Sequence, residues 1–210
     1  MLRFVAFIAV LLMTTAAQAG EFAGYLREVT GTATIDRGAG AKPLHKGDDI
    51  AVGDRLATGK DGRIRIEFAD GGELVLAQNG KLTVDEYVYD PKKPKEGKAE
   101  MTVLDTAFAF TGGWLDKGPA PDVKMNLNFG TIGVRGTKLL RAMNKGECWI
   151  YLQTGAIDVY NKGGKVSLKP GEGTIMTATT KSPAAPHIWP KREIDWIRGA
   201  VAGETTEWKP

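Results

Sequence analysis

The residue types that most often carry enzymatic chemistry are scarce in this chain, which has one cysteine and two histidines. Cys148 alternates with Ile150 and Leu152, the pattern of a strand with one buried face, so we expect a core thiol of low reactivity. Neither His45 nor His187 belongs to a recognisable catalytic arrangement. A single cysteine also excludes a disulfide framework and Cys-rich zinc modules. We therefore predict a protein that is not an enzyme and that has no catalytic residues and no bound cofactor or metal.

Two kinds of motif are similar to known ligand-binding sequences but lack their full pattern. The segments Gly47-Asp48-Asp49 and Gly53-Asp54 suggest calcium, but they lack the Asp-x-Asp-x-Asp-Gly spacing of an EF-hand. Because tight turns also require Asp and Gly, we interpret both segments as turns. The spacing Gly130-x-x-Gly133-x-x-Gly136 is similar to a phosphate loop, but no helical pattern and no Gly-Lys-Thr follow it.

Arg135 is the main candidate for a contact residue, and it lies in the segment Val134-Arg135-Gly136-Thr137. Its guanidinium group offers five donors in a rigid fork that can clamp several carbonyls or a carboxylate. One hypothesis is that Arg135 staples loops within the domain, and we favour it; Arg135→Ala would then lower the melting temperature. The other is that Arg135 meets an anionic ligand or partner. The carboxylates available for a staple include Asp48, Asp54 and Asp70.

The C-terminal tail, residues 181–210, differs from the rest of the chain. A proline-rich connector leads to a segment in which Ile194, Ile197 and Val201 recur at helical spacing. We expect a short helix that packs on the body of the protein. The alternative is that the tail presents its tryptophans to a partner, because exposed aromatic side chains anchor many interfaces. The tryptophans concerned are Trp189, Trp196 and Trp208.

The remaining sequence predicts the scaffold that positions these candidates. The chain has 210 residues, enough for one core, and 27 of them are glycine, about twice the average share. Apolar and polar residues alternate between turn-forming glycines, as in residues 63–68. We predict an all-β domain over residues 20–180 with about ten short strands, arranged as a jelly-roll-like sandwich or a short β-solenoid. The net charge of +3 is too small to indicate nucleic-acid binding.

Residues 1–19 have the three parts of a cleavable signal peptide. Arg3 supplies a positive charge, an apolar run extends over residues 4–13, and Ala17-Gln18-Ala19 provides the cleavage signal. A membrane anchor is the alternative, but a span needs about 20 apolar residues. We predict cleavage after Ala19 and export to the periplasm, with secretion as a second destination and no transmembrane span in the mature chain.

The segment from Phe129 to Thr137, with its Val-Arg-Gly-Thr element, resembles the signature of the FecR domain, the periplasmic module of ferric-citrate-type signalling regulators. The resemblance extends over residues 24–177, because other motifs follow in the same order. They are the opening strand at 24–35, the Gly-Asp turns at 47–48 and 53–54, the turn Phe68-x-Asp70-Gly71, the strand Leu152-x-x-Gly155-x-Ile157-x-Val159 and the turn Leu168-x-Pro170-Gly171-Glu172. In this family a serine follows the Asp-Gly turn, where the chain has Gly72.

The resemblance implies a non-enzymatic interaction or sensing module. Full-length regulators of this family also carry a cytoplasmic anti-sigma segment and a transmembrane helix. With a cleavable signal and no cytoplasmic part, we expect a free-standing FecR-like domain that acts with a separate membrane or envelope protein. The alternative is an envelope-associated binder of a glycan or a small anionic ligand.

Overall fold

The prediction of an all-β protein with a short C-terminal helix is confirmed. A computed structural model describes residues 20–93, 96–118, 121–204 and 208, and the predicted signal peptide lies outside these ranges. The described residues form sixteen strands, one 3₁₀ turn and one α-helix. The strands are β1 (Phe22–Thr30), β2 (Ala33–Asp36), β3 (Ala41–Pro43), β4 (Asp49–Ala51), β5 (Arg55–Thr58), β6 (Arg63–Phe68), β7 (Glu73–Leu76), β8 (Lys81–Val88), β9 (Lys98–Leu104), β10 (Phe108–Thr111), β11 (Asp122–Leu127), β12 (Gly130–Asn144), β13 (Glu147–Asn161), β14 (Gly164–Leu168), β15 (Glu172–Met176) and β16 (His187–Ile188). The 3₁₀ turn is Leu115–Lys117 and the helix, α1, is Lys191–Ala202.

The strands form one large curled sheet. Twelve of them follow the order β3-β2-β5-β8-β9-β11-β12-β10-β7-β6-β1-β4, and β13 extends the sheet by pairing with β12, β14 and β15. The two ends of this order, β3 and β4, are consecutive in the chain and joined only by residues 44–48, so the sheet curls until its edges approach. Among the described strands, only β9 and β11 pair in parallel. Such antiparallel pairing differs from that of a solenoid, whose successive coils stack in parallel.

The main core lies inside the curl and is built by strand alternation. In β6 the side chains of Ile64, Ile66 and Phe68 are buried, while those between them are half-buried on the other face. Cys148 is fully buried in the same core, as its alternation predicted. Each fully buried aliphatic or aromatic side chain contributes about 1.5–3 kcal/mol relative to an exposed one.

The tail packs on the opposite face of the sheet. Pro190 precedes α1 and Gly203, with φ of 84°, ends it. The helix buries Trp196 and Ile197 against residues of β12 and β13 that point away from the main core, including Trp149. Residues 187–204 and Trp208 are therefore packed against the β domain through a second, aromatic core.

One charged side chain lies in the main core. Arg141, on β12, is fully buried, and its guanidinium donates to the carbonyl oxygen of Thr106 and, at 2.8 Å, to Oδ1 of Asn128. Its Nε also contacts Sγ of Cys148 at 3.3 Å. None of these partners is a carboxylate, so neutral acceptors satisfy the buried cation.

Candidate functional site

The segment around Arg135 is a β-bulge in the pairing of the long strands β12 and β13. Their register shifts between Arg135 and Lys138. Gly136 and Gly155 have φ of 60° and 86°, and a side chain at Gly155 would overlap the carbonyl oxygen of Gly136. Only glycine therefore fits at position 155, where the two backbones approach closely.

Thr137 and Asp116 hold the bulge in place. The Thr137 backbone N–H donates to Oδ2 of Asp116 at 2.7 Å, and the Thr137 hydroxyl donates to the carbonyl oxygen of Ala156 at 3.2 Å. The same hydroxyl accepts the backbone N–H of Arg135 at 3.1 Å. The carbonyl oxygen of Thr137 accepts from Gly112 at 2.8 Å. The backbone that carries Arg135 is thus fixed by hydrogen bonds from three sides.

Asp116 is itself buried, with 2% of its surface exposed. Its Oδ1 atom has no hydrogen-bond partner among the described residues. Burial raises the pKa of this carboxyl group, while the N–H of Thr137 and the charge of Lys117 act in the opposite direction. A side chain at Gly112 would overlap the carboxylate, which explains the glycine at that position.

Asp70 anchors the turn that carries Asp116. Its Oδ2 accepts the backbone N–H of Leu115 at 3.1 Å, and its carbonyl oxygen accepts that of Trp114 at 3.0 Å. Its Oδ1 accepts the hydroxyl of Tyr87 at 3.0 Å, and burial raises the pKa of that phenol. Two buried aspartates, Asp70 and Asp116, therefore fix residues 112–117 beside the bulge.

The Arg135 side chain is exposed and does not act as the staple that we favoured from the sequence. Within the ranges that the structure describes, its guanidinium makes no hydrogen bond and no ion pair. The three carboxylates considered for the staple have other partners. Asp48 accepts the backbone N–H of His45 at 2.7 Å, Asp54 pairs with Arg37 at 2.9 Å, and Asp70 binds Tyr87 and the turn described above.

Arg135 lies on the rim of an open groove of about 700 Å³, which we call the Arg135 groove. Lys117 adds a second exposed cation. Of the two acids on this groove, Asp116 is buried, and Asp122 is half-buried and pairs with Lys124 at 2.7 Å. The groove is lined by Asp116, Lys117, Gly118, Pro121, Asp122, Arg135, Gly136 and Gly155. The exposed charge of the groove is therefore positive.

Of the tail tryptophans, Trp189 and Trp196 are buried and Trp208 is half-buried, and a different tryptophan is exposed. Trp189 and Trp196 are 3% and 7% exposed, and their rings pack edge-on against Trp149 with centroids 5.4 Å away. Trp208 packs against the same ring at 6.1 Å. Trp114, at the start of the 3₁₀ turn, is 74% exposed. Trp114 was not identified from the sequence, although its position between Gly112-Gly113 and Gly118, outside any alternating pattern, was a usable signal.

The other sequence motifs have structural partners. Asp54 accepts the backbone N–H of Ala51 at 2.9 Å. The carboxylate of Asp48 accepts the backbone N–H of His45, and its own backbone N–H donates to the His45 carbonyl oxygen at 3.1 Å, which closes the turn. In the described part of the chain, no three His, Cys, Asp or Glu side chains are placed to hold a metal ion. No helix in the same ranges is long and apolar enough to cross a lipid bilayer.

Comparison with known proteins shows a shared fold. No protein-family model matches the chain, and no curated protein matches it. Two crystal structures of a candidate anti-sigma factor from Parabacteroides distasonis ATCC 8503 are similar in fold. One has a TM-score of 0.53 and 10% identity, over 67% of this chain and 62% of that one. The other has a TM-score of 0.54 and 11% identity, over 69% and 64%. The chain thus spans less than two thirds of either structure.

Proposed function

We propose that the protein is a non-enzymatic, exported interaction and sensing module of the FecR type, which acts in the periplasm with a separate membrane signalling protein. One observation carries the proposal: the side chain of Arg135 is displayed to solvent on a bulge held by hydrogen bonds, and its guanidinium makes no hydrogen bond and no ion pair within the described residues. A fixed backbone lowers the entropy lost when the side chain binds. The shared fold with a candidate anti-sigma factor adds an analogy at the level of fold.

Trp114 supports a protein partner. Its indole is 74% exposed, and the turn that carries it is tied to the Arg135 bulge by the hydrogen bond between Asp116 and Thr137. Tryptophan and arginine are the side chains most enriched among residues that dominate binding energy at protein interfaces. The turn of Trp114 and the bulge of Arg135 are therefore held by the same pair of buried aspartates.

Crosslinking and affinity capture from an envelope extract test this proposal. The protein and three variants, Arg135→Ala, Trp114→Ala and Lys42→Ala, are compared. Lys42 is an exposed residue of β3 away from the bulge, so its variant controls for the loss of one positive charge. We expect a stoichiometric membrane protein with the wild type and Lys42→Ala, and at least tenfold less with the other two at unchanged melting temperature. Equal capture by all four, or no membrane protein, contradicts the proposal.

A second candidate function is an envelope-associated binder of a glycan or a small anionic ligand. The Arg135 groove favours it, because about 700 Å³ lies within the range of small-ligand sites and its exposed charge is positive. Retention of envelope glycan by the purified protein, without a membrane protein, supports this candidate over the first.

A further inference from the structure

The Arg135 groove has two exposed cations on its rim, whereas the two acids that line it are buried (Asp116) or half-buried (Asp122). Lys117 and Arg135 are both exposed, and neither forms an ion pair in the ranges that the structure describes. The acids around the groove have partners of their own: Asp116 accepts the backbone N–H of Thr137, Asp122 pairs with Lys124 at 2.7 Å, and Asp158 pairs with Lys165 at 2.7 Å. An anionic group from outside the chain would therefore complete the charge of the groove.

Main chain, rather than side chains, forms part of the groove surface beside Arg135. Gly136 and Gly155 both line the groove and are exposed, and a side chain added at Gly136 would meet no atom within 4 Å. A surface without Cβ atoms lets another backbone approach closely. The planar fork of an arginine also matches a carboxylate in a bidentate pair better than it matches an uncharged group.

We infer that the Arg135 groove receives the acidic side chain of an extended segment of the partner protein, whose carboxylate pairs with Arg135 and Lys117. This inference rests on the proposed function, since it names the chemistry of the partner. Trp114 stands on the neighbouring turn, where it can pack against an apolar residue of the same segment. Glycan carboxylates share this anionic chemistry, so the test includes them as a separate arm.

A peptide titration followed by NMR tests the inference directly. The ¹⁵N-labelled protein is titrated with a capped five-residue peptide that has a central Glu between leucines, with the matched Gln peptide, and with an oligomer of galacturonic acid. With the Glu peptide we expect shifts of the amides of Arg135, Gly136 and Gly155 and of the indole N–H of Trp114. We expect the Gln peptide to bind about tenfold more weakly, since charge-assisted hydrogen bonds are roughly twice as strong as neutral ones. Equal binding of both peptides, shifts elsewhere, or tighter binding of the galacturonate overturns the inference.

A pair of variants at Gly136 compares an added carboxylate with an added neutral side chain in the groove. Asn and Asp tolerate the positive φ of this position better than other side chains do. Gly136→Asp places a carboxylate beside Arg135, whereas Gly136→Asn adds a neutral side chain of the same shape. We expect both variants to weaken binding of the Glu peptide, because each adds a side chain to the groove, and the Asp variant to bind it about tenfold more weakly than the Asn variant. Should either variant fail to fold, Arg135→Ala against Lys42→Ala gives the same comparison, with about tenfold weaker binding expected for the first only. Equal binding in either pair overturns the inference.

The two proposals fail in different ways. Capture of a membrane protein that Gly136→Asp leaves unchanged contradicts the groove inference and leaves the proposed function standing. Specific binding of the Glu peptide without capture of any membrane protein contradicts the proposed function and supports the groove as a carboxylate site.

Discussion

The backbone N–H of Thr137 donates to the buried carboxylate of Asp116 at 2.7 Å, joining strand β12 to a turn that lies 21 residues earlier in the chain. This bond ties the bulge that carries the exposed Arg135 to the turn that carries the exposed Trp114. The Oδ2 atom of this carboxylate is held by the Thr137 N–H, and its Oδ1 atom has no hydrogen-bond partner among the described residues.

The first prediction concerns the pH dependence of stability at Asp116. Burial raises the pKa of this carboxyl group, so the folded state binds the proton more tightly than the unfolded state. The stabilisation that results is complete below the unfolded pKa of about 3.9 and is lost as pH rises through the folded pKa. Asp116→Asn removes the charge and keeps an acceptor for Thr137. We expect it to be at least as stable as the wild type at pH 7, with that difference shrinking toward pH 3.5.

Urea unfolding at the two pH values measures this difference, and Asp116→Ala is the control. The alanine leaves the Thr137 N–H without its acceptor, which costs about 1–3 kcal/mol at both pH values. If the asparagine variant loses as much as the alanine variant at pH 7, the predicted cost of the buried charge is wrong.

A second prediction separates two reasons for which a position requires glycine: a close approach of another backbone and a positive φ. Gly155→Ala would overlap the Gly136 carbonyl oxygen, whereas Gly146 has a similar φ of 82° and open space around it. We expect Gly146→Ala to cost about 1 kcal/mol for its backbone conformation. Gly155→Ala should cost at least twice as much in thermal unfolding. Equal losses at the two positions would show that the bulge has room for a side chain.

Replacing Arg141 and replacing Arg135, both on β12, should change the free energy of unfolding by very different amounts. Arg141 is fully buried, so Arg141→Ala leaves a cavity and unpaired acceptors on Thr106 and Asn128, at a cost of about 3–5 kcal/mol. Arg135 is exposed and unpaired within the described residues, so Arg135→Ala should change stability by no more than about 0.5 kcal/mol. Chemical denaturation of both variants checks this, and a large loss at Arg135 would restore the staple hypothesis.

A fourth prediction concerns the aromatic core under the tail. Trp149 lies in ring contact with Trp189, Trp196 and Trp208. Trp149→Ala should therefore cost about 3–5 kcal/mol and expose the helix α1 to limited proteolysis. Trp114→Ala is the matched control, and it should unfold within about 0.5 kcal/mol of the wild type. Protection of α1 in the Trp149 variant would contradict this role.

Local patterns predicted the class of fold and several of its details. The alternation in residues 63–68 and around Cys148 correctly identified strands and their buried faces, because side chains in a strand point alternately to opposite sides. Pro190 and Gly203 marked the two ends of α1. The number of strands was underestimated, since elements as short as β3 and β16 carry too few residues to show a period.

The candidate site was only partly accessible from the sequence. Arg135 was identified, but its environment depends on Asp116 and Asp70, which the fold brings from other strands and turns. Trp189 and Trp196 were considered for exposure because a lone helix shows its apolar face but not the surface that covers it. The partner surface here is the outward face of β13, which alternation marks only as the side opposite the core.

The long hairpin of β12 and β13 also bears on the order in which the protein folds. Its two fifteen-residue strands are joined by the two-residue turn Lys145-Gly146, whereas β1 finds its neighbour β6 across about forty residues, the separation of the ion pair between Arg27 and Glu67. Local hairpins close in microseconds, but pairings distant in sequence limit β proteins to milliseconds or seconds. We therefore expect hydrogen-exchange protection to appear first in the middle of the sheet and last at β1. The N-terminal strand, although made first, becomes ordered only when the rest of the chain can receive it.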